Sequence, residues 1–180
     1  QLDGAGVIGH GNMRVQGKGA RMHAAGLSLR GDLDVNAQLR RADLRGHNFS
    51  IDGTRVNLSG ISFTGPGGES RGGWWARIDL QRARMDWDRP MRVNGRVHVA
   101  MKDIGFLLSM FSRQRDYPKW VFKLVDSGQA QASANVQWSG DTVVLDRVQA
   151  GNQRYDVKAR LRLHDKHRSG SLYAKWGVLG

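Results

Sequence analysis

At 180 residues the chain has the length of one ordinary domain and is long enough to bury a core without disulfides. It has no cysteine, which excludes disulfide staples and thiolate metal sites, and its 24 glycines, 3 prolines and 39% hydrophobic residues exclude a disordered chain or a helical bundle and favour a β-dominated domain. The formal net charge of +12, from 28 Lys and Arg against 16 Asp and Glu, favours anionic partners: nucleic acid, phospholipid headgroups or lipopolysaccharide phosphates.

Near its start the chain carries GAGVIGHG, Gly4 to Gly11, which has the G-x-G-x-x-G spacing of a dinucleotide-binding loop. That loop works only between a strand and a helix, because the pyrophosphate sits on the helix N-terminus. Glycines at 11, 17, 19 and 26 occupy the place of the helix, so the stretch reads as a turn-rich lead into a sheet and no cofactor is expected.

The clearest periodicity is LSLRGDLDVNAQL, in which Leu27, Leu29, Leu33, Val35, Ala37 and Leu39 alternate with polar residues. Strict period two means one buried face and one wet face, as in an antiparallel sheet, and at about 3.3 Å per residue the stretch reaches roughly 40 Å. The pattern returns at Trp74–Leu80, at Met91, Val93, Val97, Val99 and Met101, at Ala130–Trp138, at Tyr155, Val157, Ala159, Leu161 and Leu163, and at Leu172–Trp176. The apolar phase slips across Gly60 and again between Leu80 and Ala83, and each slip requires a bulge or turn to restore the face. Thr64–Gly73 reads as an open loop and His164–Gly170 as a hairpin turn. The stretches ADLRGHNFSIDG and DRVQAGNQRYDVKA echo each other loosely, as repeated β units do.

One region breaks the rule. Ile104, Leu107, Leu108 and Phe111 fall at helical spacing behind Asp103 as N-cap, and Pro118 suits the first turn of a second helix that Gly128 ends. Two short helices are expected within about 103–127, with Ile104, Leu107, Leu108, Phe111, Trp120 and Leu124 as an apolar lid or core plug. The longest apolar run, Ile104–Phe111, is far short of the roughly 20 residues that span a bilayer, and no signal peptide is visible.

From LLSMF through YPKWVFKLVDSG, LDRVQAGN and GSLYAKWG, the second half resembles the AsmA-like envelope proteins of Gram-negative bacteria. The resemblance implies a strongly curved, elongated antiparallel sheet with an apolar concave face. It also implies a periplasmic location, membrane anchoring through a region outside this segment, and a role in acyl-chain handling or envelope assembly. On that reading residues 1–180 form a single β-rich domain or a C-terminal segment cut from a longer protein.

The other function classes are weaker. The six histidines are dispersed, and His164 with His167 lack a third ligand in sequence; no G-x-S-x-G is present, and the carboxylates fall mostly on wet strand phases. Catalytic residues, metal ligands and cofactors are therefore expected to be absent, and the chain reads as no enzyme. RRADLRGH and RIDLQRARMDWDR interleave Arg with apolar residues, yet no RNP, KH or zinc-finger pattern accompanies them, which leaves nucleic acid as a third reading. The favoured reading is a mainly β domain whose groove, lined by Leu27, Leu29, Leu33, Val35, Val93, Val97, Val99, Tyr155, Val157 and Leu161, binds phospholipid or other acyl chains. Basic side chains would meet an anionic membrane surface, and envelope proteins are further candidate partners. The alternative is a scaffold in which the same residues fill a β core; sequence does not separate the two.

Overall fold

The computed structural model describes residues 7–8, 10–24, 27–43, 45–64, 70–106, 108, 128–164 and 167–177. Within them the chain is mainly β, a single open antiparallel sheet. In chain order its strands are β1 (Val7–Ile8), β2 (Gly11–Ala24), β3 (Leu27–Leu39), β4 (Arg41–Asp43), β5 (Asn48–Ser50), β6 (Arg55–Thr64), β7 (Ser70–Asp86), β8 (Arg92–Met101), β9 (Ala130–Ser139), β10 (Thr142–Gly151), β11 (Tyr155–His164) and β12 (His167–Trp176). One path through the sheet runs β1-β4-β5-β7-β8-β9-β10-β11-β12, and a second, β2-β3-β6, joins it on the long strand β7.

The two paths are one meander crossed by a crease. Val7 pairs Asp43 and Gly11 pairs Leu39; Asn36 pairs Arg55 and Arg41 pairs Ser50; Arg55 pairs Asp79 and Asn48 pairs Asp86. Partners advance in step across each gap, so β1, β4 and β5 continue β2, β3 and β6 in unbroken register. The crease runs through Arg40, residues 51–54 and the bulge between Gln81 and Arg84. It is held by Ile51 N–H to the Ala83 carbonyl (2.9 Å), Gly53 N–H to the Leu80 carbonyl (2.9 Å), and Arg82 N–H to Asp52 Oδ1 (2.7 Å).

Bulges keep the apolar phase on one face. Positive φ angles at Gly19, Gly60, Arg82 and Arg147 coincide with register shifts between Gly17 and Ala20, Leu58 and Ile61, Gln81 and Arg84, and Asp146 and Gln149. A slipped strand would turn its apolar set to water, and the extra residue returns it to the core side. The two slips read from sequence, at Gly60 and between Leu80 and Ala83, are therefore real bulges. The open loop expected over Thr64–Gly73 is shorter than its glycines suggested: Thr64 pairs Ser70, and Ser70–Gly73 belong to β7. His164 pairs His167 directly, so the expected turn at His164–Gly170 gives way to strand from His167 onward.

The apolar face collects one core: Leu29, Ile61, Phe63, Trp74, Ala76, Met101, Ile104, Leu108 and the β9–β11 set from Ala130 to Leu161 form a single buried cluster. On a flat sheet β6 and β11 would stand roughly 24 Å apart at 4.8 Å per strand. Leu58 of β6 and Leu163 of β11 nevertheless line one cavity, so the sheet curls around its apolar side. The opposite face carries ion pairs, Arg14 to Asp34 (2.7 Å), Arg55 to Asp79 (2.8 Å) and Arg160 to Asp146 (2.7 Å).

After β8, Asp103 Oδ1 accepts the Gly105 N–H (2.8 Å) and Leu108 N–H reaches the Ile104 carbonyl (2.9 Å), which closes a single turn; the two short helices expected from sequence are not shown. The rest of the expected helical insert, with Leu107, Phe111, Trp120 and Leu124, lies outside the described residues.

Two measurements test this account. A Cβ on Gly31 would lie 2.6 Å from Ile61 Cδ1 and 2.9 Å from both Ile61 Cα and the Ser59 carbonyl oxygen at the Gly60 bulge. Gly31→Val is therefore expected to cost about 1–3 kcal/mol in urea unfolding. The hydrogen bond from Arg160, reinforced by its charge, holds the Asp146 carboxyl below its ordinary 3.8. A depressed carboxylate stabilises above its unfolded pKa and loses that contribution as pH falls through the folded value. Asp146→Asn should thus lower Tm at about pH 7, with the difference from wild type shrinking as pH falls below the ordinary carboxylate value of 3.8.

Candidate functional site

The curled face encloses a cleft of about 500 Å³ lined by Leu58, Trp74, Ala76, Ile78, Val97, Val99, Met101, Phe106, Ala132, Ser133, Ala134, Trp138, Val143, Leu145, Val148 and Leu163. Ser133 is the one polar residue of this lining, and its alternation with Ala132 and Ala134 turns its side chain to the opposite face. The lining follows from alternation: Val97 pairs Ala134 and Val99 pairs Ala132, and each pair places two apolar side chains on the same face. Small residues on β9 make the hollow. Ala130, Ala132 and Ala134 lie where the flanking strands carry Met101, Val99 and Val97 on one side and, on the other, Ala150 opposite Ala132 and Val148 one bulge away.

One end of the cleft is plugged. Trp74, Phe63 and Phe106 pack with ring centroids 5.2–5.8 Å apart, the Phe63 contacts edge-on. Trp74 Nε1 donates to the Asp103 carbonyl (3.1 Å), and the Asp103 carboxylate is paired with Arg71 at 3.5 Å. Ile104 and Leu108 are 0% and 1% exposed, so the described part of the expected lid is packed into the core at this end. Toward the other end Trp138 is 40% exposed, its indole N–H held by the Gly140 carbonyl at 2.7 Å. The apolar face also remains open toward edge strand β2, where Met13 and Val15 are 56% and 46% exposed.

The expected lining residues whose side chains are described share this face but divide among four places. Val97 and Val99 line the cleft itself. Tyr155, Val157 and Leu161 are buried beneath its β11 wall, at 3%, 0% and 1% exposure. Leu29, Leu33 and Val35 lie on the β3 wing with Leu27 at the strand's start, and Val93 lies across from Met85 and Trp138. Sequence reading passed over Leu58, Val148 and Trp74 as lining residues. Leu58 and Val148 each stand beside a bulge, where counting by twos fails, and Trp74, read in the apolar phase of its strand, joins the lining only through the curl of the sheet.

Among the described residues no group of three or more His, Asp or Glu could hold a metal. His164 Nδ1 lies 2.7 Å from Thr142 Oγ1, and His47 pairs with Asp88 at 3.1 Å on the surface. Among the described residues no helix is long and apolar enough to cross a membrane. Compared with family models, curated proteins and solved structures, the chain matches none.

The plug gives a direct test of how the cleft end is held. Asp103→Ala removes the cap on Gly105 and the partner of Arg71, and is expected to cost about 1–2 kcal/mol, read as a lowered Tm by circular dichroism.

Proposed function

We propose that this domain is a non-catalytic lipid-binding segment whose apolar cleft holds an acyl chain. The observation that carries the reading is the cleft itself: about 500 Å³ of space walled by apolar side chains on the inner face of a curled sheet. That volume falls within the range of small-molecule sites, and a flexible hydrocarbon tail suits a lining that offers almost no hydrogen bonds. Each methylene moved from water into the cleft contributes about 0.8 kcal/mol, so a tail of several carbons offsets the cost of ordering it.

The net charge of +12 supports encounter with anionic headgroups at a membrane surface, where each Lys or Arg adds about 1 kcal/mol. With the resemblance to AsmA-like proteins, this supports a periplasmic envelope setting and a part in outer-membrane homeostasis, with phospholipid as the ligand class. The exposed Met13 and Val15 extend the apolar face beyond the cleft to the sheet edge, which favours a path for a chain over a closed cavity.

Native mass spectrometry of gently purified protein, with lipid extraction of the same sample, tests the proposal. Near-stoichiometric acyl lipid is expected on the wild type. It should be lost in Val97→Asp, which puts a charge in the cleft, and in Ala132→Phe, which fills the cleft while keeping its face apolar; Arg30→Gln should retain it. A clean apo mass for the wild type, or full lipid occupancy in folded Ala132→Phe, overturns the proposal in favour of a filled scaffold.

A further inference from the structure

The opposite, polar face has a hollow of its own. Alternation that buries Trp74 at 3% exposure sends its neighbour Trp75 to the outer face, where it borders a depression of about 600 Å³. The floor is made of small residues, Ala100 and Gly151. Gly151 is required there, because a Cβ would collide with the Tyr155 carbonyl oxygen. Around the floor stand Gln129, Gln131, Asn152, Gln153 and Arg154. A second depression, sharing Gln131 and Gly151, prolongs the hollow along β9 and β10 past Ser133, His98, Gln149 and Asp156.

This lining differs in kind from the rest of the face. The surrounding sheet is studded with Arg, whereas the hollow is dominated by uncharged amides and carries one Arg and one Asp. Asn152 acts as a brace: its Nδ2 donates to the Gln129 carbonyl (3.2 Å) and its Oδ1 accepts the Arg154 N–H (2.8 Å), so the turn between β10 and β11 is tied to the start of β9. The Gln131, Gln149 and Gln153 side chains make no hydrogen bond to another described residue, so their donors and acceptors are turned to solvent.

We infer that this hollow is a second binding site, for a neutral or N-acetylated oligosaccharide. A flat indole presents a rigid apolar surface to the C–H face of a pyranose ring. Each Gln side chain offers two donors and an acceptor, matching hydroxyl and acetamido groups that themselves both donate and accept. The hollow is long enough to be shared by two linked depressions, as an oligomer requires, and its volume is that of a ligand site. A nucleic acid strand would stack on Trp75 equally well, but its phosphates need several cations along the path, and the lining offers Arg154 opposed by Asp156.

Saturation-transfer NMR and calorimetry with chitotetraose and maltotetraose, using the whole domain, test the site. At least one tetramer is expected to bind, with affinity falling about tenfold or more in Trp75→Ala, recovering in part in Trp75→Phe, and weakened in Gln131→Ala. Folded Val97→Asp, at a residue that lines the apolar cleft and neither outer depression, should leave sugar binding unchanged, so this site stands or falls independently of lipid capture. Failure of both tetramers to bind overturns the inference. So does equal affinity in folded Trp75→Ala, or binding of a deoxythymidine oligomer alone with steep salt dependence.

Discussion

Everything in this fold depends on keeping one face of a long antiparallel meander apolar through every strand. Cross-strand partners share a face, so the phase set by Val35 passes to Val56, to Ile78, to Val99, to Ala132 and to Ala150 without interruption. A strand that lost step would present Leu or Val to water and Arg to the core. The bulges at Gly19, Gly60, Arg82 and Arg147 are the points where the chain restores step, and Gly31 and Gly95 give the backbone room opposite two of them.

A sheet with one apolar face has to cover it. Here no second sheet does so among the described residues; the sheet curls, and the turn after Asp103 closes one end with Ile104, Phe106 and Leu108. Aromatic packing of Trp74, Phe63 and Phe106 makes that end dense, whereas the alanines of β9 leave space beside it. Filled core and open cleft, alternatives at the level of sequence, are thus two ends of the same face. The contrast follows from side-chain volume at positions whose polarity pattern is identical.

Much of this was legible in the residues. The period-two runs located β3, β8, β9 and β11, and the phase slips at Gly60 and after Leu80 located two bulges, because alternation is a direct imprint of the pleat. β2 was harder to see: glycines at 11, 17 and 19 read as turns, although Gly11 and Gly17 lie in regular pairing and only Gly19 marks a bulge. The crease was invisible because it arises from agreement among three strands, with Asp52 binding the backbone of Arg82 30 residues away. The candidate lining was identified by face but not by position, since curvature decides which residues surround the space. The outer hollow left no trace in periodicity, because it depends on small residues at Ala100 and Gly151 meeting across three strands.

The unbroken register across the crease has a consequence for how such a chain can change length over generations. An extra residue within β10 beyond Arg147 would invert Val148 and Ala150 and leave their partners on β9 and β11 facing the wrong neighbours. One residue gained in the turn at Gly140–Asp141 disturbs no pairing. Inherited insertions are therefore confined to the strand ends, or must come as bulges matched by a small residue on the adjoining strand, as Gly95 matches Arg82. The sheet behaves as a reading frame, tolerant of substitution along one face and intolerant of frameshift.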